Sequence, residues 1–262
     1  VSLGTGRSAT SVAAGSGHVC ARLDDATIKC WGSNSTGSLG LGATNNRGDG
    51  AGEMGDSLPT VSLGTGRTAL AVTGGSGHTC ARLDDTTVKC WGENNKGQLG
   101  RGDTNRRGGG AGEMGDSLAA IRLGTARTAT TVSVGNLHTC ALLDNGTVKC
   151  WGFNGNGRLG LGDTANRGDA ASEMGDALPA VNLGTGRTAT AIAVGGSHTC
   201  ALLDNNTVKC WGLNASGQLG LADVAARGDA AGEMGDSLPT VRLGVGRTAT
   251  AIAAGTNHTC AL

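Results

Sequence analysis

Short apolar stretches separated by glycine recur along the chain, and none is long enough for a regular helix. Residues 190–194 read Thr-Ala-Ile-Ala-Val between small residues, which favours a buried β-strand. Residues 198–203 and 207–211 follow it and flank Asp-Asn-Asn at 204–206. Because Asn tolerates a positive φ angle, these two segments are predicted to form a β-hairpin.

A fourth strand is predicted at residues 178–183, which read Leu-Pro-Ala-Val-Asn-Leu. Its proline fits a strand start or an outer edge, where no ladder hydrogen bond is lost. Residues 152–176 lie between the hairpin and this strand, are rich in Gly, Asn and Asp, and show no helical or alternating period. We predict a long ordered loop there. Loops beyond about 15 residues usually bind a ligand or pack on neighbours, so any function is expected in this loop.

The whole pattern repeats every 60 residues without insertion, as the return of Cys20 at Cys80, Cys140, Cys200 and Cys260 shows. The fold class predicted is therefore all-β, a tandem array of 60-residue, four-stranded blades of the propeller type. The predicted units are residues 1–60, 61–120, 121–180 and 181–240, with a partial fifth unit at 241–262.

A longer motif runs through each unit: Gly-x-x-His-Thr-Cys-Ala-Leu, a turn, and Thr-Val-Lys-Cys-Trp-Gly-x-Asn-x-x-Gly-Gln-Leu-Gly. It is clearest at residues 195–220 and, with Arg82 in place of a leucine, at 75–100. This motif resembles the repeats of the regulator of chromosome condensation family. The resemblance implies β-propeller blades, which in closed members come in sevens. The family's activities, nucleotide exchange on a small GTPase and inhibition of a β-lactamase, belong to loops of particular members, and no residue set here carries either one.

Two features depart from the usual family pattern. Cysteines occupy hairpin positions that are usually apolar or aromatic, and a Glu-Met-Gly-Asp segment lengthens each unit. The cysteines suggest export, and the lengthening segment resembles a bacterial, surface-exposed branch of the family.

The length of the chain predicts an open array. Seven such blades would need about 420 residues, whereas the chain has 262. Residues 241–262 align with residues 1–22, so the two ends repeat the same piece instead of complementing each other. We therefore expect part of a larger propeller or filament, with self-association between identical chains, and not a ring closed by one chain.

Nine cysteines form four pairs ten positions apart, with Cys260 left over. Each pair is symmetric about the predicted turn, which places both sulfurs on one face of the hairpin. Zinc is the alternative, but a unit offers only two Cys and one His, at a spacing that is not that of a zinc finger. Disulfides are predicted, and with them an extracellular or cell-surface location. The predicted pairs are Cys20–Cys30, Cys80–Cys90, Cys140–Cys150 and Cys200–Cys210.

Charge and hydropathy exclude several classes of partner. The 21 basic residues balance 21 acidic ones, which disfavours nucleic acid and anionic membranes as partners. No apolar run approaches the roughly 18 residues that membrane insertion requires.

The polar residues that recur suggest structure before chemistry. A histidine present once per unit is expected to make the same structural hydrogen bond each time, so we predict no catalytic site and no enzyme. No cofactor is predicted, although Asp163, Asp169, Glu173 and Asp176 could supply oxygen ligands to calcium. The favoured alternative is that such carboxylates, Glu53 and Asp56 in the first unit, pair with Arg47 or Arg7 on a neighbouring loop.

Two functions fit these observations. The first is a structural protein, an extracellular array that forms a fibre or stalk by serial packing of blades. The alternative is a module that holds a protein or glycan partner through its Gly-Glu-Met-Gly-Asp loops, residues 52–56 in the first unit. Units this alike favour the structural role, because a site for a different partner usually needs loops that differ between blades.

Overall fold

The computed structural model describes residues 1–262 as strands and turns, with single turns of 3-10 helix. No helix in it has both the length and the apolar character needed to cross a membrane. In the first unit, β1 (Ala9–Ala14), β2 (His18–Leu23) and β3 (Ile28–Gly32) form an antiparallel sheet in that order.

The same sheet recurs in every full unit, and a two-stranded remnant follows. The five sheets are separate and do not join into a closed one, in agreement with the open array of blades that was predicted. The remaining strands are β4 (Ala69–Gly74), β5 (His78–Leu83), β6 (Val88–Gly92), β7 (Ala129–Val134), β8 (His138–Leu143), β9 (Val148–Gly152), β10 (Ala189–Val194), β11 (His198–Leu203), β12 (Val208–Gly212), β13 (Ile252–Ala254) and β14 (Thr259–Ala261).

The predicted hairpin is confirmed as β11 and β12, which place Cys200 directly opposite Cys210. Its turn places Asn206 in the left-handed region, at φ 61°. The side-chain oxygen of Asn205 accepts hydrogen bonds from the backbone and hydroxyl of Thr207 at 3.2 and 2.7 Å. Asn therefore supplies both the unusual backbone angle and a local cap.

The predicted fourth strand is wrong. Residues 178–183 lie outside every sheet and share with β9 one backbone bond, from Val181 N–H to the Val148 carbonyl at 2.8 Å. Pro179 has no N–H to give to a ladder. The residues after Pro179 form hydrogen bonds within the next unit, where the carbonyl of Asn182 accepts from Gly235 N–H. The segment is a connector shared by two blades, so each blade has three strands.

Each hydrophobic core lies between two successive units. The first combines Cys20, Ile28 and Leu39 of one unit with Leu83 and Trp91 of the next, all at most 1% exposed. The same composite core recurs at the second and third boundaries. No unit can bury its apolar face alone, which is the behaviour of repeat proteins.

The units curve around a common axis. The turns between the first and second strands of all five units line one shallow cavity of about 270 Å³. We call this side of the array the turn end, and the opposite side, with the β2–β3 type of turn, the hairpin end. The long loop starts at the turn end, because Ser33 N–H donates to the carbonyl of Gly17 at 2.7 Å.

Candidate binding surface

The four predicted disulfides are present, and each joins directly opposed residues of a hairpin. All eight sulfur-bearing residues are at most 1% exposed and belong to the composite cores. A cross-link over a loop of this size stabilises a fold by about 3 kcal/mol in the chain-entropy estimate. The disulfides thus reinforce hairpins that also carry the packing between units.

The recurring histidines connect each unit to the next. His18 Nε2 lies 2.8 Å from the hydroxyl of Thr79, and that hydroxyl donates to the carbonyl of Ser38 at 2.9 Å. The indole N–H of Trp91 donates to the same carbonyl at 3.0 Å. We call these four groups the interblade relay. Its equivalents are His78, Gln98, Thr139 and Trp151, then His138, Arg158, Thr199 and Trp211.

The relay fixes the protonation state of its histidines. The threonine hydroxyl has one proton and gives it to the carbonyl, so the histidine Nε2 must be the donor and Nδ1 carries no proton. Burial lowers the pKa of His78 to about 3 and that of His198 to about 4, which keeps both neutral. The repeated structural hydrogen bond predicted for these residues is therefore what the structure shows.

The carboxylates considered for calcium do not meet. Asp163, Asp169, Glu173 and Asp176 each have their own partners, and no group of three or more Asp, Glu, His or Cys side chains is placed to hold a metal. Those partners are, in the same order, Arg167 with Asn154, Asn166, the backbone N–H groups of Gly168 and Ala170, and Thr125.

The expected pairing of acids with arginines holds for one of the two acids. Glu53 lies 3.9 Å from Arg47. Arg7 instead pairs with Asp24 and Asp25 at 3.5 and 3.1 Å, because its segment runs beside the hairpin turn of its own unit. Asp56 accepts from the backbone and hydroxyl of Thr5 at 2.9 and 2.7 Å, and these hydrogen bonds lower the pKa of that carboxyl.

The Gly-Glu-Met-Gly-Asp segment is built into the junction between units. Met114 packs against the first composite core, and Glu113 accepts from the backbone N–H groups of Gly109 and Gly110 at 3.0 and 2.8 Å. The Gly115 carbonyl accepts from the Lys89 ammonium at 2.8 Å. Most of the segment's polar groups are engaged inside the chain, which makes it a poor place for a partner.

The long loop is ordered around one buried asparagine. In the third unit, the Asn154 side chain accepts from Leu159 N–H at 2.9 Å and donates to the Asp163 carbonyl at 2.8 Å. The loops also bond to each other across units, as Gly102 N–H does to the Gly168 carbonyl at 2.9 Å. Of the two alternatives for a long loop, packing on a neighbour is the one that these contacts show, and binding stays a prediction. The start of the loop lies at the turn end.

The four full units differ most clearly where the long loop begins. The first residue after the third strand is Ser33, Glu93, Phe153 or Leu213, all at least partly exposed. This variation was visible in the sequence, by comparing the units position by position, and our sequence reasoning missed it. It marks the turn end as the surface where one blade is not equivalent to another.

Phe153, the only phenylalanine of the chain, lies at the centre of the most distinctive part of this surface. The Arg158 guanidinium carbon is 4.6 Å from the centre of its ring, and the Lys96 ammonium of the preceding unit is 5.6 Å away. We call Lys96, Phe153 and Arg158 the Phe153 cluster. Both distances fall within the range of cation–π interactions.

The sequence matches the family described as "Regulator of chromosome condensation (RCC1) repeat". One pattern of this repeat matches residues 9–38, 70–98, 129–158 and 189–218, and a second matches residues 145–202 and 206–262. Together the matches cover most of the four units.

Known proteins show the same likeness. The ultraviolet-B receptor UVR8 of Arabidopsis thaliana is 28% identical over 213 residues, which are 81% of this chain and 43% of the receptor. The structure of human WBSCR16 superposes with a TM-score of 0.72 at 20% identity, over 97% of this chain and 57% of that one. The structure of yeast RCC1 (Prp20), solved with Kap60 bound, superposes with a TM-score of 0.70 at 22% identity, over 96% of this chain and 53% of that one. The chain thus spans about half the length of these relatives, and the two structures show the fold alone.

Proposed function

The chain belongs to the RCC1 repeat family, and from that membership we propose that it is part of a β-propeller module that binds a protein partner at its turn end. The observation that carries this proposal is the uneven distribution of differences between units. A surface for a different partner needs blades that differ, and at the turn end several neighbouring positions differ between the units.

The kind of side chain at the turn end favours a protein over a glycan. The turn end carries partly exposed Phe153 and Leu213 together with the charged residues Glu93 and Lys96, the last of which lies over the Phe153 ring. Exposed aromatic and apolar side chains with a polar rim around them are typical of protein interfaces. The relatives support the same choice, since the yeast RCC1 structure is a complex with the protein Kap60.

A selection experiment tests the proposal. A displayed library of random peptides is panned against the intact, oxidised chain, and hydrogen exchange maps the enriched peptides. We expect slower exchange at the turn end, in segments such as 33–36 and 153–156. Protection confined to the hairpin end or to segment 112–116, or no specific peptide, would contradict the proposal.

The role proposed is non-catalytic, without a cofactor, and outside the reducing cytosol, at the cell surface or beyond it. Four buried disulfides support that location, because cytosolic thiols are kept reduced. Counting thiols in protein isolated from its natural source, with alkylation before lysis, tests this point. Free thiols at Cys140 and Cys150 in that material would contradict it.

Serial packing into a fibre is the second candidate, and the composite cores favour it, because each unit buries its apolar face against the next one. Trp91, Trp151 and Trp211 fill the contact beside Gly40, Gly100 and Gly160 of the preceding unit.

One residue weakens the fibre of identical chains. The threonine partner of His198 is already Thr259 of the same chain. A first unit packed behind residues 241–262 would therefore offer Val19 to His258, and valine has no hydroxyl for the interblade relay. Electron microscopy of the purified, oxidised chain distinguishes the candidates. Filaments would support the fibre, and discrete particles at all concentrations would exclude it.

A further inference from the structure

We propose that the Phe153 cluster binds a carboxylate from an acidic segment of the partner protein. This inference rests on the proposed function, because it names the chemistry of the partner at the same turn end. It follows from the state of Arg158, its position in the repeat and its surroundings.

Arg158 is a buried cation with little to neutralise it. It is 5% exposed, forms no ion pair, and makes one side-chain hydrogen bond, from Nε to the Gly155 carbonyl at 2.9 Å. Its two terminal nitrogens, Nη1 and Nη2, have no partner in the chain. A buried cation without an anion is unfavourable, so a carboxylate arriving at these nitrogens gains more than it would at a solvated arginine.

The four buried lysines are satisfied. Each buried lysine donates its ammonium to at least one backbone carbonyl, as Lys149 does to Gly175 at 2.7 Å. An arginine at a recurrent position, such as Arg167, has a carboxylate at 2.7 Å. The contrast singles out Arg158. The buried lysines are Lys29, Lys89, Lys149 and Lys209.

The fold does not require an arginine at this position. The equivalent residues are Ser38, Gln98 and Gln218, and the relay uses only their backbone carbonyl. The Arg158 carbonyl plays the same part. The guanidinium is therefore an addition of the third unit, available for a task that the other units do not share.

The surroundings suggest what the carboxylate is attached to. The Phe153 ring covers Gly155. The backbone N–H of Phe153 donates to the carbonyl of Leu137, and the Leu137 residue is also partly exposed. Lys96 adds a second positive charge whose ammonium has no ion pair. A peptide with a carboxylate next to apolar side chains matches this combination. Nucleic acid does not, because the chain carries no net positive charge to attract a polyanion.

Fluorine NMR tests the proposal with a single reporter. Because the chain has one phenylalanine, replacement with 4-fluorophenylalanine labels Phe153 alone. The probe is an acetylated, amidated pentapeptide that alternates glutamate and leucine. We expect a saturable shift of the fluorine signal with this peptide and none with its glutamine–leucine counterpart. Equal shifts with both peptides, or none with either, would overturn the proposal.

Matched variants locate the effect. Arg158→Gln installs the residue of the second and fourth units, and Lys96→Ser installs that of the fourth, so both are expected to fold. Arg158→Gln should raise the dissociation constant for the glutamate–leucine peptide about tenfold, because a charge-assisted hydrogen bond is lost. Arg187→Gln, at the hairpin end, should leave it unchanged. Equal affinity in Arg158→Gln and the parent chain would refute the site.

The failure of this inference differs from the failure of the proposed function. Suppose that peptides without acidic residues bind the turn end, and bind the Arg158→Gln variant as tightly as the parent chain. The proposed binding module would then stand, and the carboxylate site would be refuted. Peptides that bind only the hairpin end would remove both.

Discussion

The two ends of the array are built from the same strands and follow different rules. At the hairpin end, an arginine–aspartate pair recurs in all four units, for example Arg127 with Asp144 at 3.0 Å and Arg187 with Asp204 at 3.3 Å. At the turn end, the positions equivalent to Phe153 and to Lys96 hold a different residue in each full unit, and at the hairpin end the turn position of Thr86 varies as well. Repetition thus marks the contacts that hold the blade, and variation marks the surface left over for function.

The turn end can vary because it rests on a constant layer. The interblade relay lies at that side of each sheet, where His18 begins β2 and pairs with Gly32 at the end of β3. Histidine, threonine and tryptophan supply its side chains, whereas the variable residue contributes only a backbone carbonyl. A side chain such as Ser38, Gln98 or Arg158 is therefore exchangeable without loss of the relay.

The largest expected effect comes from removing the constant layer. Trp151→Ala empties a fully buried site and removes the bond to the Gln98 carbonyl, so the free energy of unfolding should fall by about 3–5 kcal/mol. Urea unfolding of the oxidised chain measures this. Trp31→Ala is the matched control, since Trp31 carries the same motif but stays partly exposed. Equal losses for both tryptophans would show that the contact between units is not the source.

The neutral histidines predict a dependence on pH. The folded state binds no proton at His78 until about pH 3, whereas the unfolded chain binds one below about 6.5. This stabilisation is complete above pH 6.5 and is lost as the pH falls toward 3, by at most about 1.4 kcal/mol per pH unit for each histidine. Urea unfolding between pH 7 and 5.5 checks it, since carboxylates with an ordinary pKa of about 4 stay almost fully ionised there.

The relay can also be tested hydroxyl by hydroxyl. Thr139→Val keeps the shape of the side chain but leaves His78 Nε2 without its partner, which should cost about 1–2 kcal/mol. The first unit provides the control, because it already has valine there. Val19→Thr should change stability by less than about 0.5 kcal/mol. A Thr139→Val variant as stable as the parent would show that the interblade relay does not stabilise the fold.

Much of the architecture could be predicted from residue spacing. Cysteines ten positions apart around a turn predicted both the hairpin and its disulfide, and the structure pairs Cys140 with Cys150 directly across the strands. The period of 60 gave the number of units for the same reason, since each unit repeats one local pattern.

The fourth strand and the binding surface could not be read in the same way. The apolar pattern around Val181 is that of a strand, but its neighbours in space belong to two different units, and a local pattern does not reveal that. Likewise, the acidic residues near Asp163 were conspicuous by their charge, whereas Arg158 became notable only through its burial. Burial and the identity of a neighbour depend on tertiary packing.

The hairpin end offers a smaller, stabilising change. Thr86 adopts a left-handed backbone at φ 66°, which is unfavourable for a β-branched residue, and the third unit has Gly146 at the same place. Thr86→Gly should raise the free energy of unfolding by roughly 0.5–1 kcal/mol, after the greater flexibility of glycine in the unfolded chain is subtracted. Thermal unfolding measures it, with Thr87→Gly as the control that should destabilise, because the Thr87 hydroxyl donates to the Asp85 carboxylate at 2.6 Å.

The smallest change in the free energy of unfolding is expected at the turn end, when the variable side chains of one unit are replaced by those of another. The double variant Phe153→Leu with Arg158→Gln gives the third unit the residues of the fourth, Leu213 and Gln218. The relay carbonyl and the buried Asn154 remain, so the free energy of unfolding should change by less than about 0.5 kcal/mol. Urea unfolding and peptide binding, measured on the same sample, distinguish a role of these side chains in stability from a role in binding. A large loss of stability would mean that the variable side chains help to hold the blades together, and the contrast between a constant layer and a free surface would then fail.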